Sequence, residues 1–355
     1  MPNSLLRRLL GRAGADAEGA ALGESFSLPG SLRPGARVLL LASDDPTDLL
    51  FAMPLVEAIH DTVPDASLGL VCDERTSHLA LSTDRFADVL VVDLAGLEAS
   101  GSTRRTLENE LRQDGWDVAI VLGQRGDPVR DALAHLSGAT LRMGPDHPGA
   151  FPNLNCQVRP PAERHYPYDR ALLWGRLLGL SLEDVPLRWP LAPKRDRQMA
   201  QLVHFNKPRK QQRLIGIDPG VAKGGTRLGA ANLAHIANHI ARTVDSRTII
   251  LTADPDPAVS EELRPALDNA PLDLPRPTLL ETVLLLGQCD LFVCGNTDLM
   301  HFAAALGVPV LGLIPDREDE VWIPTRARRF ERVTIAPGES LDLASLMDRV
   351  ERLLS

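Results

Sequence analysis

Short apolar runs alternate along the chain with longer stretches in which apolar residues return every three or four positions. The strongest such unit is Asp290–Ile314. Leu291-Phe292-Val293-Cys294 has the length of a buried strand, and Gly295-Asn296-Thr297-Asp298 breaks it with turn formers and a candidate helix N-cap. Leu299–Leu306 then reads as a helix, Gly307 as its stop, and Val308–Leu313 as a second strand. Strand, turn, helix and strand make a βαβ unit, so a parallel sheet is expected here.

The same alternation fills the first part of the chain. Strands are expected at Val38–Leu41, Leu68–Cys72, Val89–Asp93, Val118–Leu122 and Thr140–Met143. Helices are expected at Asp48–His60 (capped by Thr47 or Asp48), near Ser77–Leu81, at Arg104–Gln113 and at Asp127–Leu136. Between 145 and 212 prolines cluster, and the segment reads as an interdomain connection holding one helix, Tyr168–Leu178. Alternation resumes with strand Leu214–Ile217, helix Asn232–Thr243, strand Thr248–Thr252 and helices Val259–Leu267 and Leu279–Cys289. After the βαβ unit come strand Val333–Ala336 and an amphipathic helix, Leu341–Leu354. The fold class is therefore α/β, with two Rossmann-like doubly wound domains facing across a cleft. The expected division is a flexible lead-in at 1–34, an N-terminal domain with its connection at 35–180, a C-terminal domain at 181–340 and a final helix at 341–355.

Composition narrows the function classes. A chain of 355 residues with 44% apolar residues fills two cores. Net charge −9 and 4% aromatic residues argue against broad nucleic-acid binding, which needs a basic face and stacking surfaces. The four cysteines, at 72, 156, 289 and 294, form no CxxC pair, so a reduced cytoplasmic chain without a metal site or disulfides is expected. No apolar run is long enough to span a bilayer. Leu5-Leu6-Arg7-Arg8-Leu9-Leu10-Gly11-Arg12 is short, basic and amphipathic, which suits either peripheral contact with an anionic membrane surface or a frayed tail. No Gly-rich dinucleotide fingerprint or Walker A loop follows a first strand, which disfavours dehydrogenases and P-loop kinases.

Four segments, in order, resemble the family 9 glycosyltransferases, the lipopolysaccharide heptosyltransferases and their relatives. They are Asp48 with Pro54 in TDLLFAMPLVEAI, WDVAIVLGQ at 116–124 leading to LSGATLRMG, IDPG at 217–220, and Asn296-Thr297-Asp298-Leu299-Met300-His301 followed by FAAALGVP. The resemblance implies the GT-B fold and an inverting, metal-independent transfer of a heptose-like sugar. The implied donor is a nucleotide diphosphate sugar such as ADP-heptose, with no further cofactor, and the implied acceptor is a glycan or a lipid-linked glycan at the inner membrane face. Two other readings stay open: a non-catalytic GT-B relative that binds glycan or protein, and a nucleotide-sugar epimerase.

Such a transfer needs a base for the acceptor hydroxyl and stabilisation of the departing diphosphate. Asp48 lies where the family has its base; read by itself it is an ordinary aspartate in the first turn of a helix. Donor-binding candidates are Lys223 and Arg227 in the loop after Asp218-Pro219-Gly220, and the helix start with Asn296, Thr297, Asp298, Leu299 and His301. First-turn N–H groups and the helix dipole favour phosphate there. The chain departs from the family at this site. Asp298 replaces a glycine, Asp218 replaces a histidine, the expected lysine falls on Thr226 beside Arg227, and a Gly-Gly pair reads Ala253-Asp254. A carboxylate at 298 repels a diphosphate unless it turns away or pairs with a cation.

Overall fold

The computed structural model describes residues 28, 32–93, 107–112, 114–123, 126–159, 166–182, 185–221, 228–253, 257–275, 278–315, 323–324, 327, 329–335 and 342–355. The basic segment Leu5–Arg12 lies outside them. The chain divides into two compact units, Met1–Pro186 and Leu187–Ser355. Among the described residues no helix is long and apolar enough to cross a membrane.

In the first unit the strands are β1 (Arg37–Leu41), β2 (Ser67–Cys72), β3 (Asp88–Val91), β4 (Val118–Val121), β5 (Leu141–Pro145) and β6 (Cys156–Val158). They form one parallel sheet in the order β3-β2-β1-β4-β5-β6. The helices are α1 (Pro46–Thr62), α2 (Glu74–Ala80), α3 (Pro128–Leu136) and α4 (Tyr168–Leu177). Residues 107–112 are also helical. Helices on the sheet faces bury β1 and β4 on both sides, which is why VLLL and VAIV are apolar at every position instead of alternating. One close approach fixes the sheet against its cover: a Cβ at Gly69 of β2 would stand 2.2 Å from the Trp116 ring. The Arg37 guanidinium lies over the same ring, 5.0 Å from its centroid.

Two expectations change here. Asp45, not Thr47 or Asp48, caps α1, accepting from the Thr47 N–H, and Pro46 takes the first helical position, where a missing N–H costs nothing. The 145–212 segment is more than a connection. It holds β6, which extends the first sheet beside β5, and the helix α5 (Pro193–Asn206) of the second unit. A three-residue strand is too short to show a period, and α5 buries only Met199 and Val203, so neither leaves an apolar rhythm in the sequence.

The second unit repeats the plan with β7 (Arg213–Ile217), α6 (Ala230–Thr243), β8 (Ser246–Ile250), α7 (Pro257–Ala266), α8 (Leu279–Leu286), β9 (Leu291–Cys294), α9 (Asp298–Leu306), β10 (Val310–Pro315), β11 (Phe330–Ile335) and α10 (Leu343–Leu354). Its parallel sheet runs β11-β10-β9-β7-β8. The last helix is part of this core: Leu346, Met347, Val350 and Leu353 pack with Ile215, Ile236, Val293 and Leu311. All four cysteines are free thiols, and burial pushes Cys72 up to about 12, so it stays protonated and inert at neutral pH.

A histidine–carboxyl hydrogen bond sits at the carboxyl end of the first sheet. His147, just after β5, places Nε2 2.7 Å from Asp131 Oδ2 in the first turn of α3, and Nδ1 3.1 Å from the Pro148 carbonyl. Burial pushes the Asp131 carboxyl up to about 6 from 3.8, against the pull of His147 and Arg130. A carboxyl whose folded pKa lies above its unfolded value gives its full stabilisation below the unfolded value and loses it as pH rises through the folded one. The stability of the wild type relative to Asp131→Asn is therefore expected to fall by on the order of 3 kcal/mol between pH 4 and pH 7. Urea denaturation of both proteins across that range checks it, and a pH-independent difference would contradict it.

Candidate functional site at the two switch points

In each sheet the chain order reverses once, and there the loops from two neighbouring strands leave in opposite directions. In the first unit this lies between β1 and β4, in the second between β7 and β9. The candidate residues that are described gather at the carboxyl ends of these two strand pairs.

The loop after β1 carries three carboxylates with different environments. Asp44 is exposed. Asp45 is engaged as the α1 cap: its Oδ1 accepts from the Thr47 N–H at 2.9 Å and from the Thr47 hydroxyl at 2.6 Å. Asp48 stands one turn into α1, half-buried, and its Oδ2 receives a short hydrogen bond from the hydroxyl of buried Ser43. That hydroxyl in turn accepts from the Asp45 N–H at 3.0 Å, so the loop backbone aims Ser43 at Asp48. From α4, the Arg170 Nη1 donates to the Gly123 carbonyl beyond β4. Burial lowers the Arg170 pKa, and the negative charge of Asp48 opposes that shift. Gly123 has φ of 103°, a left-handed conformation that suits glycine. Asp48 and Arg170 thus tie together the two loops that diverge at this switch point. The helix pair holding them, α1 and α4, is further fixed by Phe51, whose ring meets the Tyr166 ring edge-on at 5.2 Å.

In the second unit Asp218 ends β7 and is 1% exposed. Its Oδ1 accepts from the Gly220 N–H at 2.8 Å and its Oδ2 from the Thr297 hydroxyl at 2.5 Å. A side chain at Gly220 would put a Cβ 2.8 Å from that same Oδ1, so the Asp-Pro-Gly turn needs its glycine. Thr297 is the N-cap residue of α9, yet its side chain makes no cap hydrogen bond, because the hydroxyl is turned to Asp218. Asp298 is half-buried, while Leu299 and His301 are fully buried, so Leu299 offers a ligand only its backbone N–H. Asn296 is 2% exposed, and its Oδ1 has no hydrogen-bond partner among the described residues. Lys223 and Arg227 lie outside the described residues. The Thr297 hydroxyl braces the loop, and the carboxylate of Asp218 holds it there.

The family profile of glycosyltransferase family 9 (heptosyltransferase) matches residues 104–331. The chain belongs to glycosyltransferase family 9. The matched span includes Asp218 and Thr297 and begins downstream of Asp48. No curated protein matches the chain. Among solved structures, the family 9 glycosyl transferase from Veillonella parvula superposes with a TM-score of 0.74 at 16% identity, over 91% of this chain and 98% of that one. The Escherichia coli ADP-heptose lipopolysaccharide heptosyltransferase II superposes with 0.72 at 18% identity, over 90% and 98%. The E. coli heptosyltransferase WaaC with ADP-2-deoxy-2-fluoro heptose superposes with 0.68 at 17% identity, over 89% and 99%. At these identities the likeness is one of fold, and the fold is GT-B.

Three features of this family 9 site escape a sequence reading. Ser43 carries no signal of its own in the sequence, Arg170 lies on a helix far along the chain from Asp48, and the Asp218–Thr297 bond joins residues 79 positions apart that nothing in the sequence pairs. Removing the donor tests the last of these. Thr297→Val leaves a buried carboxylate short of a hydrogen bond and is expected to cost about 2 kcal/mol, whereas Thr297→Ser costs less than about 0.5 kcal/mol. Urea denaturation of the three proteins reads the difference, and equal losses for Val and Ser would show that the methyl group, not the hydroxyl, matters.

Proposed function

We propose that this glycosyltransferase moves a heptose-like sugar from an ADP-sugar to a hydroxyl of a glycan or glycolipid acceptor, with inversion at the anomeric carbon and without a metal ion. The observation that carries the reading is the placement of Asp48 at the switch point of the first unit, with one carboxylate oxygen held by Ser43. The other oxygen takes the proton of the acceptor hydroxyl as that oxygen attacks the anomeric carbon. The bond from that carbon to the diphosphate breaks on the opposite face, and ADP leaves with the electron pair. Arg170 keeps the Asp48 loop and the Gly123 loop in register while the proton moves.

The second unit binds the donor in this reading. The N-terminal N–H groups of α9, at Asp298 and Leu299, face the developing charge on the diphosphate, supported by the positive end of the helix dipole. Lys223 and Arg227 are the cations for it and offset the carboxylate of Asp298. Asn296 and His301, buried within the loop and helix, shape the turn from inside. The complex of the solved relative with ADP-2-deoxy-2-fluoro heptose supports an ADP-heptose donor for this chain. Among the described residues no group of three or more His, Cys, Asp or Glu could hold a metal ion.

Kinetics on Asp48→Asn separates its role from donor binding. A lost general base lowers kcat by about 10²–10⁴-fold with ADP affinity unchanged. A variant that loses ADP affinity and keeps kcat would sink the assignment. Ser43→Ala is expected to lower kcat by about tenfold at unchanged donor KM, since it frees the carboxylate to turn. Chelator should leave turnover intact, and the anomeric configuration of the product, read by NMR, should be opposite to that of the donor.

A further inference from the structure

An unevenly charged surface lies on α5 and the turn that follows it. Between Arg188 and Arg213 the sequence holds eight Lys or Arg and a single acid, Asp196, in a chain whose net charge is −9. Among the described residues few of these charges are neutralised. Arg209 pairs with Asp245 and Arg213 with Asp290. Lys207 and Lys210 give their ammonium groups to uncharged carbonyls, Lys207 to Gln212 and Lys210 to His204, both at 2.7 Å. Asp196 faces inward, taking a hydrogen bond from Gln288. Lys194, Arg195 and Arg197 are exposed in the first turns of α5, where the helix dipole disfavours cations. Helix stability does not explain them.

The apolar residues on the same helix are placed as oddly. Phe205 is 73% exposed and Leu202 is 38% exposed. Lys194, Gln198, Gln201 and Phe205 follow one another at helical spacing, so they share the face opposite Met199 and Val203, which anchor the helix to its unit. The Lys210 ammonium lies 5.4 Å from the Phe205 ring centroid, so the one large apolar side chain projects from among cations. The Phe205 ring meets the His204 ring edge-on at 5.5 Å, and one such pair gives no row of stacking platforms for nucleic acid. An apolar tip set among flexible Lys and Arg side chains, on a convex helix face, matches the boundary between acyl chains and anionic headgroups.

We propose that the outer face of α5, with Phe205 at its tip, docks on an anionic phospholipid bilayer. The charges attract the surface and Phe205 enters it, while Met199 and Val203 keep the helix on its unit. This surface shares no residue with either switch-point site or with the N-terminal Leu5–Arg12 segment.

The test is co-sedimentation of the full chain with vesicles of phosphatidylethanolamine containing a third phosphatidylglycerol, and with vesicles of phosphatidylcholine alone. The wild type is expected to bind the anionic vesicles, to ignore the neutral ones and to be released by high salt. The K194E/R197E double variant should bind at least about tenfold more weakly. Phe205→Ser should bind about fivefold more weakly with its salt dependence kept. Both changes are at exposed positions and should leave the melting temperature unchanged. Because the N-terminal segment is intact in every protein, these losses report on α5. No binding by the wild type, equal binding to neutral vesicles, undiminished binding by both variants, or displacement of the vesicles by RNA would overturn the proposal.

Discussion

A parallel sheet covered on both faces has nowhere to put polar chemistry except its edges, and the rest of this structure follows from that constraint. Strands such as VLLL and VAIV bury every side chain, so no functional group projects from them. Polar groups gather where backbone leaves the sheet, and neighbouring loops part company only at a switch point. Asp48 and Arg170 stand at one such point and Asp218 and Thr297 at the other, each pair joining a loop from one strand to a group near the other strand. In both cases a charged group is held by uncharged partners, Arg170 by the Gly123 carbonyl and Asp218 by the Thr297 hydroxyl and the Gly220 N–H. Groups fixed in this way do not have to reorganise when charge moves on a bound substrate.

The second switch point shows how one substitution reshapes its surroundings. With a carboxylate at 218, the hydroxyl of Thr297 has a strong acceptor within reach and turns to it, giving up the helix cap. The first-turn N–H groups of α9 are then left without a cap from Thr297, the condition that favours an anion there. The negative charge of Asp218 also adds to burial in raising the Cys294 thiol, so its field extends into the strand behind the loop. The local chemistry thus combines an attraction for phosphate with a nearby buried negative charge.

Most of the architecture was legible in the sequence because long apolar periods survive averaging. The βαβ unit from Leu291 to Pro315 shows a turn, a helix and a Gly307 stop at their expected places, with Gly307 in the left-handed conformation. The elements that were missed bury little. β6 has three residues, and α5 anchors itself through two side chains and exposes the remainder of its apolar surface. Capping was misread at α1 because three residues able to cap, Asp45, Thr47 and Asp48, fall within four positions, and only geometry shows that Asp45 has the extended backbone and the Thr47 N–H in reach. Single motif positions such as Asp48 were legible, but their partners were not. Ser43 is close in sequence but carries no signal that singles it out, whereas Arg170 meets Asp48 only through the packing of α4 on α1.

The central claim is that the acidic second switch point still receives the diphosphate of an ADP-sugar. Calorimetric titration of the purified chain with ADP, UDP and GDP tests it most directly. The account predicts selective binding of ADP with a dissociation constant in the micromolar range, about −8 kcal/mol, and a matching rise in melting temperature. Binding of none of the three by the folded protein would contradict the account, and selective binding of UDP or GDP would contradict the choice of donor.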